Sequence, residues 1–292
     1  MNYRFNKNHM KRIVSFIVCI FLISQQVCYA SDRNTIMSKI NNDYYCDNLN
    51  SVIESIIEID TSMSDEAYFK SVFNCLDEHS EYYTQDEYTS HLVTGNSGMI
   101  SASVYKTEIV VKINRFGDGV EEIFAEYVDK CKKEGVRKLI LDFTECPGGY
   151  VHVMTAIAND IMPKGKIMTA KFRNNEQVYY SKLEKCPFDE IKVKVSSQTA
   201  SAAEILAAGL QEAGVATIIG VNTYGKTSIQ SLYKLEDGGA FKLTCGEYLT
   251  RNGNDISKTG VIPDIVDYSY PVKIRWNDYC KEVFRNNKAV SE

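Results

Sequence analysis

A helical N-terminal segment followed by an α/β core is the architecture that this sequence predicts, and three observations carry the prediction. Ile36, Ile40, Tyr44, Leu49, Ile53 and Ile57 recur at steps of four or five residues, close to the helical period. After Gly98, short apolar runs alternate with amphipathic stretches, the pattern of β-α units. Lys138–Phe143 (KLILDF) is almost continuously apolar, as a strand covered on both faces of a sheet should be.

Residues 1–30 read as a signal peptide rather than as part of the fold. Arg4, Lys7, Lys11 and Arg12 precede Ile13–Ile23, an apolar run broken only by Ser15. That run suits a signal core and falls short of the roughly 20 residues that span a bilayer. Cys28 and Ala30 are small residues at −3 and −1 of a cleavage before Ser31, so the mature chain is expected to be exported, to the periplasm or beyond. An uncleaved membrane anchor is the alternative, and the membrane is expected as a partner only in that case.

Residues 31–95 form the predicted helical segment. Tyr68, Val72, Cys75 and Leu76 make a second apolar stripe, and Thr84-Gln85-Asp86-Glu87 reads as a capping box that opens a third helix. Gly95-Asn96-Ser97-Gly98 joins it to the core, 96–292. There the pattern predicts a strand at Ile109–Ile113, a helix at Val120–Lys133, the strand Lys138–Phe143, a turn at Cys146-Pro147-Gly148-Gly149 and a helix at Val151–Ile161. Strands follow at Ile167–Phe172, Val178–Leu183 and Ile191–Val195, then a helix at Ala202–Ala213 and a strand at Ala216–Gly220. Ile229–Leu235 and Ala240–Leu249 read as strands, and Val272–Phe284 as a closing helix.

Composition excludes several functions. A net charge of −5 on 292 residues argues against a general nucleic-acid binder. Residues 1–30 carry four Lys/Arg and no acid, so their removal lowers the charge by four more, to −9. Cys46, Cys75, Cys131, Cys146, Cys186, Cys245 and Cys280 remain, an odd and dispersed set without C-x-x-C. They read as buried small residues with one or two disulfides, not as a zinc ribbon or a redox pair. No G-x-G-x-x-G or Walker loop is present. Ser103 and Lys106 lie in a strand-like run, where residues three apart face opposite ways, so the Ser-x-x-Lys chemistry of β-lactamases does not fit. His79, His91 and His152 stand beside no nucleophile elbow.

The strongest site signal is Ser196–Ile205 (SSQTASAAEI), where a strand ends, small residues follow and a helix begins. Ser201 would sit at the helix start, where unpaired N–H groups and the helix dipole stabilise a developing oxyanion. A plain N-cap is the competing reading. Lys226, in Tyr224-Gly225-Lys226-Thr227-Ser228-Ile229-Gln230, follows a buried strand in a mostly uncharged stretch. Desolvation there would populate the neutral amine, which can take the proton of a serine hydroxyl. An exposed surface lysine is the alternative.

These blocks resemble the carboxy-terminal processing peptidases, or tail-specific proteases. Leu76–Tyr82 (LDEHSEY) is similar to the family's LDPHSxY, and Leu139–Gly149 (LILDFTECPGG) to LILDLRxNPGG. Thr199–Gln211 (TASAAEILAAGLQ) resembles SASASEIxAGALQ, Val221–Gln230 (VNTYGKTSIQ) resembles GExTFGKGxVQ, and Gly260–Asp264 resembles GIxPD. The resemblance implies a ClpP/crotonase-like core, with Ser201 as nucleophile and Lys226 as general base. It further implies that Gln230 orients Lys226 and that the amides of Gly149 and Ala202 form the oxyanion hole. No metal, nucleotide or other cofactor is implied. The family's PDZ domain is not accommodated, because only residues 83–97 separate the LDEHSEY block from Gly98. Thr144, Cys146 and Thr227 replace the family's Arg, Asn and Gly.

The expected protein is thus an exported Ser–Lys endopeptidase acting on protein or peptide substrates, with a dedicated exported partner. A silent peptide-binding protein, or a serine-dependent acyl or thioester hydrolase, is the alternative. The Ile36/Ile40/Tyr44 stripe would be able to pair two protomers.

Overall fold

The structure is a computed structural model that describes residues 33–92 and 98–270. The expected signal segment, most of the Gly95–Gly98 joint and the expected helix Val272–Phe284 lie outside the described residues. In chain order the elements are α1 (Arg33–Asp43), α2 (Leu49–Ile57), α3 (Asp65–Asn74), β1 (Glu81–Tyr83), α4 (Gln85–Leu92), β2 (Ile100–Tyr105) and β3 (Glu108–Ile113). Then come α5 (Val120–Glu134), β4 (Lys138–Asp142), α6 (Val151–Ile161), β5 (Gly165–Phe172), β6 (Glu176–Ser181) and β7 (Glu190–Val195). The described chain ends with α7 (Ala202–Glu212), β8 (Ala216–Gly220), β9 (Ser228–Lys234), β10 (Ala240–Leu249) and β11 (Ile265–Val266). No described helix is long and apolar enough to cross a membrane.

Two compact units result. Among the described residues, the first joins 33–92 to Gln230–Cys245, and the second comprises 98–229 and 246–270. The sequence assigned all of 96–292 to one core. The difference comes from one strand pairing: β1 pairs antiparallel with the start of β10, Glu81 opposite Lys242 and Tyr83 opposite Ala240. No local periodicity reveals a pairing between residues so far apart.

In the first unit the helices start where their caps stand. The side chains of Asn48 and Ser64 accept from the amides of Ser51 and Ala67, and Thr84 and Glu87 form the reciprocal capping box expected of α4. Ile36, Ile40, Tyr44, Val72, Phe73, Phe241 and Leu243 make one buried cluster. Burying each Ile or Phe side chain contributes about 1.5–3 kcal/mol. The Ile36/Ile40/Tyr44 stripe is therefore spent inside its own unit and is not open to pair protomers. The stripe also loses its last member. Ile57 is 75% exposed and Ile56 is buried instead, because within α2 Leu49, Val52, Ile53 and Ile56 share one helical face and Ile57 turns away from it.

The second unit is built on a six-stranded sheet in the order β11-β8-β7-β4-β3-β2. All neighbours run parallel except β2, which is antiparallel to β3. The end of β10, Gly246–Leu249, pairs antiparallel with β5, which in turn pairs with β6. Phe116, Phe124, Phe143, Leu141, Met154 and Ile157 fill the core. Helix α7 is buried from Ala202 to Leu210, which its Ala- and Gly-rich sequence permits by keeping the helix thin. The six cysteines within the described residues are all thiols, so the expected disulfides do not form among them.

Candidate active site

In open parallel sheets, ligands bind at the carboxyl ends of the strands. Here β4, β7 and β8 are neighbours, and the three segments singled out in the sequence leave their carboxyl ends. Residues 143–149 follow β4, 196–201 follow β7, and 221–226 follow β8.

The first loop is set by an Asx turn, with the Asp142 carboxylate accepting from the amide and hydroxyl of Thr144 at 3.0 and 2.6 Å. It ends in Gly148 (φ +103°) and Gly149 (φ +145°), backbone conformations that strain any residue with a Cβ. The Phe116 amide donates to the Gly148 carbonyl and the Tyr150 amide to the Phe116 carbonyl, so the turn is tied down on both sides. A Cβ on Gly148 would stand 2.8 Å from Ser201 Cβ and 3.0 Å from the Ala202 nitrogen. The glycine turn thus lies directly against the start of α7. Gly148→Ala should cost on the order of 1–3 kcal/mol from backbone strain alone and should displace the Ser201 turn. Thermal unfolding together with an activity assay checks this, and a variant with wild-type stability and rate would contradict it.

The second loop is stitched to the first. The Thr199 hydroxyl accepts from the Ser196 amide and donates to the Phe143 carbonyl, and the Ala200 amide donates to the Cys146 carbonyl. The Cys146 thiol is buried there, which pushes its pKa up to about 12 and leaves it a neutral packing group. Ser201 then adopts φ +56°, ψ −121° at the N-cap of α7. A non-glycine residue in that region is held by its surroundings. The strand–strained serine–helix turn is the geometry that lifts a nucleophile clear of its helix.

The third loop carries Lys226. The Tyr224 amide donates to the Thr199 carbonyl, and the Thr223 hydroxyl accepts from the Val261 amide at 2.6 Å. What joins this loop to α7 is Glu204, fully buried one turn into the helix. Its Oε2 accepts from the amides of Ser201 (2.8 Å) and Lys226 (2.9 Å). Its Oε1 accepts from the Gly225 amide (2.6 Å) and the Thr223 hydroxyl. Burial raises the Glu204 carboxyl above the ordinary glutamate range, and the four hydrogen bonds act in the opposite direction. Beneath Ser201, the buried Tyr248 hydroxyl donates to the Ser201 carbonyl at 3.4 Å, while the Tyr248 amide donates to the Thr227 carbonyl.

The second unit thus brings Ser201, Ala202, the glycine turn and the backbone of Lys226 together. Gln230 belongs to the first unit. Its amide nitrogen donates to the Thr244 hydroxyl at 3.2 Å, and that hydroxyl donates to Asp77 at 2.9 Å. Asp77 also accepts from the Ser80 hydroxyl, which in turn accepts from the Thr244 amide. A carboxylate only accepts, so it fixes the polarity of the chain: Thr244 donates to Asp77 and receives from Gln230. The LDEHSEY block therefore orients the Gln230 amide.

Sequence reasoning gave no role to Glu204, Thr223, Thr244 or Tyr248. Glu204 carried a usable signal, since Ser201-Ala202-Ala203-Glu204 has the spacing of a capping box. Thr244 and Tyr248 carried none, because their partners are remote in sequence.

Comparison with known proteins shows the family to which this chain is similar. The family model of peptidase family S41 matches residues 109–267. The carboxy-terminal processing protease CtpA of Bacillus subtilis is 32% identical over 173 residues, 59% of this chain and 36% of that protein. Among solved structures, the photosystem II D1 C-terminal processing protease superposes with a TM-score of 0.50 at 23% identity, covering 64% of this chain and 47% of its own. A lipoprotein from Streptococcus agalactiae gives a TM-score of 0.66 at 17% identity over 80% of this chain and 90% of its own, which shows a shared fold. The matched stretch spans about a third of the length of the curated relatives (36%, 33% and 39%). With the family match covering more than half of its residues, the chain belongs to peptidase family S41.

Proposed function

We propose that this chain is a serine endopeptidase in which Ser201 is the nucleophile and Lys226 the general base. Ser201 Oγ attacks a peptide carbonyl, and Lys226 takes the hydroxyl proton and returns it to the leaving amine. Water, deprotonated by the same amine, then releases the acyl-enzyme. The amides of Ala202 and Gly149 receive the oxyanion. Gln230, oriented through Thr244 and Asp77, serves to orient Lys226. The observation that carries this reading is Ser201 itself, strained at φ +56° at the start of a helix, with its amide and that of Lys226 on the same carboxylate oxygen. A fluorophosphonate should label the chain once, at Ser201, and labelling elsewhere or not at all would overturn the assignment.

Residues 1–30 act as the export signal in this reading, and the substrate is a dedicated exported protein. Because 83–97 leave no room for a PDZ domain ahead of the core, affinity comes from subsites of the peptidase itself. Amidating the C-terminus of a cleaved substrate should therefore change kcat/KM by less than about tenfold, or about 1.4 kcal/mol. A larger loss would show that the enzyme reads free carboxyl termini.

A further inference from the structure

We infer that Glu204 is the positioning residue that holds the Ser201 and Lys226 segments in one register. The inference rests on the reading of Ser201 and Lys226 as the reacting pair. The two segments leave the ends of different strands, β7 and β8, and are 25 residues apart in sequence. One oxygen, Glu204 Oε2, receives the backbone N–H of both residues, at 2.8 and 2.9 Å. The other, Oε1, receives the Gly225 amide and the Thr223 hydroxyl.

A helix cap explains only one of these four bonds. The reach back from Glu204 to the Ser201 amide completes a capping box, whereas the other three go to the loop after β8. All four partners are donors. The Thr223 proton is directed to Glu204 because the same hydroxyl oxygen already accepts from the Val261 amide. The ionised carboxylate, at the N-terminal turn of α7 and therefore at the positive end of its dipole, satisfies every one of them. An amide in its place would set an NH2 group against two donors, and the two loops would lose their common anchor. Glu204 touches neither reacting atom, so its contribution lies in where the hydroxyl and the amine are held.

The test is Glu204→Gln in the full chain, read with an alkyl fluorophosphonate. In this probe reaction Ser201 Oγ forms a bond to phosphorus, the P–F bond breaks, fluoride leaves as the anion, and Lys226 takes the hydroxyl proton. The maximal labelling rate should fall by about 100-fold, the effect expected when reacting groups are misplaced by about an ångström. The concentration giving half-maximal rate should stay within about threefold, since the site that binds the reagent is kept. A purely structural role would lower the folded fraction and leave the rate of each folded molecule unchanged, so circular dichroism and labelling stoichiometry are read on the same sample.

A folded Glu204→Gln protein that labels at the wild-type rate overturns the inference while leaving Ser201 as nucleophile. A wild-type chain that takes no label at Ser201 overturns the pair and the inference together. Should Glu204→Gln not fold, Thr223→Val and Thr223→Ser decide. Val should lower the maximal rate by at least about tenfold and Ser should restore it, whereas a Val variant with the wild-type rate overturns the inference.

Discussion

Ser201→Ala should leave a folded protein whose peptidase rate is lower by on the order of 10⁴- to 10⁶-fold, the range seen when a catalytic nucleophile is removed. The structure makes this substitution unusually clean. Most ties of Ser201 run through its backbone: its amide to Glu204, and its carbonyl to the Tyr248 hydroxyl and to the amides of Glu204 and Ile205. Alanine keeps these, fits the same φ as well as serine does, and loses only the capping-box bond that the hydroxyl accepts from the Glu204 amide. Loss of a hydroxyl at a helix start costs about 1 kcal/mol. In a protein of this size that shifts Tm by about 2–4 °C. Steady-state cleavage of an unstructured protein substrate, together with a thermal melt, checks both parts. Equal cleavage by the two proteins would remove Ser201 from the mechanism, and a collapsed melt with residual activity in the folded fraction would make it a structural cap.

Much of the fold around the candidate site was legible in the sequence, for identifiable reasons. The strand Ala216–Gly220 and the helix Val151–Ile161 were read to the residue, because continuous apolar runs and an amphipathic period are local signals. Ser201 stood out because small residues separate a strand end from a helix start, a pattern with few other uses. Its positive φ was not legible, since serine at that position announces no left-handed conformation as glycine would. Strand β1 was missed, because Glu81–Tyr83 is extended only through its pairing with Lys242 and its neighbours. The same pairing moves Gln230–Cys245 into the unit of the N-terminal helices, against the boundary that composition suggested. Glu204 shows the limit most clearly. Its capping-box spacing is visible in four residues, but the bonds to Thr223, Gly225 and Lys226 depend on β7 and β8 lying side by side. Side-chain identity told which residues can do chemistry, and strand order decided which of them meet.

Lys226→Ala and Lys226→Arg should both be as inactive as Ser201→Ala, and the arginine variant is the more informative. Glu204 holds the backbone amide of Lys226, not its side chain, so either substitution keeps the loop anchored. Arginine also keeps a positive charge and a long stem at the site. If the lysine served only to attract substrate or to stabilise the oxyanion, arginine would preserve much of the rate. A base must instead accept a proton, and a guanidinium does not give up its own at working pH. The same logic sets the pH dependence of the wild type: activity rises with pH as the ammonium is converted to the free amine, and falls as pH is lowered. The double variant Ser201→Ala/Lys226→Ala should be no slower than either single one, because two members of one proton-transfer unit do not contribute separately. Turnover by the arginine variant within about tenfold of wild type would exclude Lys226 as the base. The hydroxyl proton would then have to go to another group at the carboxyl ends of β4, β7 and β8. Glu204 is a poor substitute, because both of its oxygens already receive donors in the folded chain.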